Sequence, residues 1–189
     1  MIAPAEPRRP FEAYALELEP RLEERVWGGN GLARYGKLVP AGKLVGESWE
    51  ISDVPGKATV VSRGAYRGQS LRELMAAHAE AILGAAHGVP RHPDGGPQFP
   101  LLLKLLDARQ SLSVQVHPSD ADLERDGLKG SGKTEAWVIL DADPGARIVH
   151  GLAPGIEKSS VLARLEALQG RVLPGRELES IFRWLPVER

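Results

Sequence analysis

Hydrophobic and polar positions along the chain alternate mostly with a period of two, and this pattern predicts strands. Tyr14 to Glu19 alternates and is closed by Pro20; Leu22 to Trp27 runs into Gly28-Gly29-Asn30-Gly31, where glycine permits a tight turn. Glu47 to Ser52 and Ala58 to Ser62 read as two strands separated by Pro55-Gly56. Pro100 to Asp107 and Leu112 to His117 read as a central strand pair joined through Ala108-Arg109-Gln110. Trp137 to Asp141 and Arg147 to His150 follow, with Asp143-Pro144-Gly145 as their turn. Two stretches carry helical spacing instead. Ser70-Leu71-Arg72-Glu73 is a capping box that opens a helix to Leu83, stopped by Gly84. Glu157 to Leu168 places Val161, Leu162, Leu165 and Leu168 on one side, with Gly170 as the stop. Many strands joined by short turns predict a mainly β fold, an antiparallel sandwich or barrel with two or three peripheral helices.

Composition narrows the class. The 189 residues carry a net charge of -1 with Lys and Arg scattered and few aromatics, so no basic stripe for nucleic acid can be drawn. The apolar runs are strand-sized and broken by charge, which excludes a membrane-spanning helix, and the first ten residues read as a loose tail without the apolar core of a signal peptide. With no cysteine there are no disulfides or thiolate metal sites, which fits a reducing, cytoplasmic setting.

Candidate chemistry concentrates in Ser113-Val114-Gln115-Val116-His117. On a strand, Gln115 and His117 share a face and offer an amide oxygen and an imidazole nitrogen to one point. Glu135, opening the run Ala136-Trp137-Val138-Ile139-Leu140, is the best third donor from a neighbouring strand, and imidazole with carboxylate suits Zn²⁺. Lys104 stands as a charge within Leu101-Leu102-Leu103-Lys104-Leu105-Leu106, so a buried ammonium there must be paired or line a cavity. His87 and His92, in a Gly- and Pro-rich stretch, read as surface residues, and His150 as a strand-end residue. The Gly28 to Gly31 cluster lacks the spacing of a phosphate-binding loop.

These segments resemble, in order and spacing, the type I phosphomannose isomerases. The resemblance is carried by Val26-Trp27-Gly28-Gly29, Gly46-Glu47-Ser48-Trp49-Glu50-Ile51-Ser52, Phe99 to Asp107, Leu112 to Asp120, and Gly132-Lys133-Thr134-Glu135-Ala136-Trp137. It implies a cupin-like double-stranded jelly roll and a zinc-dependent aldose-ketose isomerase acting on mannose 6-phosphate and fructose 6-phosphate. By motif it implies Gln115, His117 and Glu135 as zinc ligands, and Lys104, Ser113 and Lys133 as substrate-lining residues. Lys104 or Lys133 is then expected either to assist proton movement or to bind sugar oxygens or phosphate, and Glu47 belongs to a family motif. The family's fourth ligand, a His, and a catalytic Arg are expected beyond Arg189. The resemblance therefore implies an N-terminal part, of low activity alone, with a non-catalytic module binding zinc or a sugar phosphate as the alternative.

Overall fold

The computed structural model describes residues 10–84, 88–168 and 175–188. The chain divides into two compact units, with the boundary between Lys133 and Thr134. The expected N-terminal tail, apart from Pro10, and His87 and Gly170 lie outside the described residues.

In the first unit, strand β1 (Leu18–Glu19) pairs antiparallel with β4 (Val60–Val61), and a three-stranded antiparallel sheet has the order β2 (Arg21–Gly29), β3 (Val45–Ile51), β5 (Leu103–Leu106). A 3-10 turn at Gly31–Tyr35 follows β2, with Leu32 buried and Gly36 in the left-handed region at its end. Helix α1 (Leu71–Leu83) has the expected bounds because its capping box forms: the Glu73 amide donates to Ser70 Oγ (3.2 Å) and the Ser70 amide to Glu73 Oε2 (2.7 Å). Its buried face, Leu71, Leu74 and Met75, follows helical spacing. A core forms where Leu74 meets Val61 and Tyr66, with Phe11, Tyr14, Leu16, Leu18 and Ile82 packed around it. Phe11 stacks on Tyr66 at 5.3 Å between ring centroids.

The glycines after β2 have a packing role. A Cβ at Gly28 would stand 2.4 Å from the Gly46 amide nitrogen, so the two backbones meet there. Gly29 and Gly31 lie against the Asp107 carboxylate, which accepts the Gly31 N–H at 2.6 Å. The loop thus cradles an anion, but one belonging to the chain itself.

Leu112 to His117 does not form the strand expected beside β5: no ladder includes it among the described residues. The connector supplies the reason. Gly28 bridges to Ala108, and the amides of Arg109 and Gln110 both donate to the Trp27 carbonyl (3.0 and 3.1 Å), so the chain leaves β5 toward the end of β2 instead of reversing alongside β5. An alternating pattern becomes a strand only when its backbone groups find a partner strand. Helix α2 (Asp120–Arg125), within what reads as an acidic excursion, has a capping box of its own between Ser119 and Asp122.

His92 is also not the surface residue its setting suggested. It is 8% exposed, and its Nε2 lies 3.0 Å from Asp53 Oδ2.

In the second unit β6 (Arg147–Leu152) pairs antiparallel with β7 (Phe182–Pro186), and helices α3 (Lys158–Ala167) and α4 (Gly175–Ile181) bury Val161 and Ile181. Trp137 to Asp141 forms no strand among the described residues. The Trp137 indole instead turns back to donate to Glu135 Oε1 at 2.8 Å. None of the described helices is long and apolar enough to cross a membrane.

Candidate active site

Strand register sets the geometry. Glu23 lies opposite Glu47, Arg21 opposite Trp49, and Trp49 opposite Lys104, so alternation places Arg21, Glu23 and Arg25 of β2, Glu47 and Trp49 of β3 and Lys104 of β5 on one face of the sheet. Glu47 is the hub, 8% exposed. Its Oε2 accepts from Arg25 Nη2 (2.6 Å) and the Trp49 indole N–H (3.0 Å), and its Oε1 accepts from Lys104 Nζ (3.2 Å). The Lys104 ammonium also stands 4.4 Å above the Trp49 ring, within cation–π range. Lys57 approaches the same ring at 5.0 Å and reaches Glu23 Oε2 at 2.7 Å. The expectation that Lys104 must be paired inside its apolar strand is met by Glu47.

Burial raises the pKa of Glu47, but the indole hydrogen bond and the charges of Lys104 and Arg25 outweigh it, and the group titrates below the ordinary carboxylate range. Burial opposes ionisation of Glu23 too, yet hydrogen bonds from Lys57 and Arg21 bring it down to about 2. Both carboxylates are therefore anions at neutral pH.

The motif residues make two further contacts in the first unit. Gln115 Nε2 donates to Ser113 Oγ at 2.8 Å, and Lys133 Nζ stands 3.3 Å from His117 Nε2. An ammonium only donates, so His117 accepts on Nε2 and carries its ring proton on Nδ1. Lys133 is placed by its surroundings: its amide donates to the Pro118 carbonyl (3.1 Å), and the Gly132 amide donates to Asp120 Oδ1 (2.6 Å). A Cβ at Gly132 would meet the Asp120 amide nitrogen at 2.6 Å, so only glycine lets this turn close against the start of α2. Glu135 belongs to the second unit, where it holds the Trp137 indole. Among the described residues no three His, Cys, Asp or Glu side chains form a group that could hold a metal ion. The expected ligand set is of another kind, since one donor is the Gln115 amide.

Reading along the chain placed Glu47 only in a motif, and Arg25, Trp49 and Lys57 nowhere near the chemistry. The available signal was polar or aromatic residues at alternate positions, Arg21, Glu23 and Arg25 on one segment and Glu47 and Trp49 on the other, which alternation places on one face of each strand.

The three-stranded antiparallel sheet, with an amine, a carboxylate and an indole on one face, is the centre of a mainly β fold with few helices. The structure of mannose 6-phosphate isomerase from Bacillus subtilis superposes with a TM-score of 0.73 and 31% identity over 92% of this chain, which is 49% of that chain. Residues 15–144 match the family Phosphomannose isomerase type I, catalytic domain, and the chain belongs to that family. Mannose-6-phosphate isomerase of Streptococcus mutans serotype c is 41% identical over 141 residues, covering 74% of this chain and 41% of the relative. Mannose-6-phosphate isomerase ManA of Bacillus subtilis strain 168 is 40% identical over 141 residues, covering 72% and 40%. The chain thus spans about two-fifths of the length of these curated relatives.

Proposed function

We propose that this chain carries the sugar-phosphate face of a zinc-dependent aldose-ketose isomerase that interconverts mannose 6-phosphate and fructose 6-phosphate. The observation that carries the reading is Lys104, held on a sheet face between Glu47 and Trp49 in a chain of this family. A hexose 6-phosphate offers hydroxyls, a carbonyl in its open form and a dianionic phosphate, and the face offers cations, a carboxylate and an aromatic plane.

Donor chemistry supports zinc. His117 Nε2, which stands 3.3 Å from Lys133 Nζ, is the atom a metal would take. The Gln115 amide nitrogen is engaged with Ser113, which leaves its oxygen as the ligating atom. Gln115, His117 and Glu135 would hold the ion, which when bound supplies Lewis-acid polarisation of the sugar carbonyl. Lys104 binds a sugar oxygen and, with Lys133, is the candidate for moving the proton between C2 and C1. Glu47 keeps Lys104 aimed, and Ser113 orients Gln115 and donates to a substrate hydroxyl. A charged substrate retained inside cells fits a cytoplasmic location.

The test is isomerisation of fructose 6-phosphate by the zinc-supplemented chain in D₂O, read by NMR as deuterium incorporation and mannose 6-phosphate formation, beside Lys104→Gln. Turnover lost by at least 100-fold in the variant supports the reading. Binding of the sugar phosphate without turnover in the unsubstituted chain would assign it to the binding module instead, and absence of both would sink it.

A further inference from the structure

We propose that Asp53 and His92 form a register lock that keeps Lys104 on the Glu47–Trp49 face, which makes them positioning residues. Asp53 lies two residues beyond β3 and is 3% exposed. Its Oδ2 accepts the Phe99 N–H at 2.7 Å and lies 3.0 Å from His92 Nε2. Phe99 is four residues ahead of β5. One carboxylate therefore ties the exit of β3 to the entry of β5. The loop it holds is organised on its own: the His92 amide donates to the Gly96 carbonyl (2.9 Å), Gln98 to Pro90 (2.7 Å), and Arg91 bridges to Pro97. A second tether runs from Asp94 to Arg72 of α1 at 2.6 Å.

A lock is needed because the ladder is irregular at that end. Glu47, Ser48 and Trp49 pair in step with Leu106, Leu105 and Lys104, but Ile51 pairs with Leu103, so Glu50 is an extra residue on β3. A neighbouring register is therefore one residue away. Sliding β5 by one residue would turn Lys104 to the opposite face and present Leu103 or Leu105 to Glu47. The far end of β5 is anchored by Asp107 on Gly31 and by the Gly28–Ala108 bridge, but the bulge leaves the near end of the ladder unable to exclude a slip alone, and there the Asp53 contact to the Phe99 backbone fixes where β5 begins. Asp53 Oδ1 is buried without a hydrogen-bond partner among the described residues. A buried carboxylate left half satisfied is a costly way to fill space, which fits a group retained for what it positions.

The lock bears on turnover only through the role proposed for Lys104, so its test does not use turnover. Lysines are reductively methylated with ¹³C-formaldehyde and a borane reductant, and NMR follows the Lys104 signal, its labelling rate and the hydrogen exchange of the Trp49 indole N–H. His92→Ala and Asp53→Ala should raise Lys104 labelling at least 3-fold and indole exchange at least 10-fold, while His92→Gln, which keeps an N–H donor, should restore most of both. If the alanine variants do not fold, His92→Gln against Asp53→Asn decides, the asparagine variant being the more perturbed. Unmoved Lys104 and Trp49 signals in folded variants of lowered melting temperature would overturn the lock and leave a structural pair. Intact signals with no turnover in the unsubstituted chain would sink the proposed function and leave the lock standing.

Discussion

Lys104 of β5 reaches Glu47 of β3 across the ladder at 3.2 Å, and Glu47 holds Arg25 on its other oxygen at 2.6 Å. The pair is asymmetric: Glu47 has three donors, Lys104 one carboxylate and one aromatic face. Removing the carboxylate strands the Lys104 ammonium, while Arg25 keeps Glu23 Oε2 and the Glu24 carbonyl; removing the amine leaves Glu47 still satisfied by Arg25 and Trp49. Glu47→Gln should therefore cost about 2 kcal/mol, below the full cost of breaking a buried pair because Lys104 retains 20% exposure. Lys104→Met, apolar against Trp49, should cost under about 1 kcal/mol. Urea midpoints decide this; equal losses would mean that Glu47 is not the hub.

Acid should unlock the same face. Glu23, at about 2, and Glu47 titrate below their unfolded values, so their stabilisation is fully present above pH 4.5. As pH falls below 4.5 toward 2 the unfolded chain binds protons that the folded chain resists, and stability drops. Glu23→Gln should flatten the fall in urea midpoint between pH 5 and pH 3. A variant with the same slope as the unsubstituted chain would show that Glu23 is not depressed.

How much the sequence disclosed depends on how far each signal reaches. The two ends of helix α1 were legible, because a capping box and a glycine stop act within a few positions of themselves, but the break in helical backbone at His78 was not. The strand pattern of Leu112 to His117 was equally plain, yet where that segment goes is decided by the Trp27 carbonyl some eighty residues earlier, which takes the amides of Arg109 and Gln110. The site divides in the same way. Lys104 advertised itself as a charge in an apolar run, but its partner Glu47 is fixed by register, which no local pattern prints. His92 was misjudged because its glycine-rich neighbours argue for exposure, while Asp53, 39 residues away, buries it.

The local part of that legibility can be tested at α1. Ser70→Ala removes the acceptor for the Glu73 amide and should cost about 1 kcal/mol, read as a lowered thermal midpoint. An unchanged midpoint would mean that packing of Leu71, Leu74 and Met75 alone determines where the helix begins.

Gly28 makes the opposite, non-local case. Its hypothetical Cβ meets backbone of Val45 and Gly46 at 2.7 and 2.4 Å, and backbone cannot rotate away as a side chain can. Gly28→Ala should cost about 3 kcal/mol and spread β2 from β3. Gly56→Ala, at a positive φ of 73° but in open space, should cost only about 1 kcal/mol. If the two variants unfold at the same urea concentration, the close approach of β2 to β3 at Gly46 is not the constraint that excludes a side chain.

The metal assignment predicts competition at one nitrogen. His117 Nε2 accepts from Lys133, and zinc on that atom must displace the ammonium, so titrating zinc into the chain should move the His117 ring signals and release Lys133 together. His117→Ala should abolish zinc retention after dialysis, and Glu135→Ala should weaken it by at least 10-fold, a loss of about 1.4 kcal/mol or more. Lys133→Met, which removes the competitor without touching a ligand, should bind zinc more tightly. Equal zinc content in the unsubstituted chain and Glu135→Ala would take Glu135 out of the set, and tighter binding by Lys133→Met together with that result would leave Gln115 and His117 as the only supported donors.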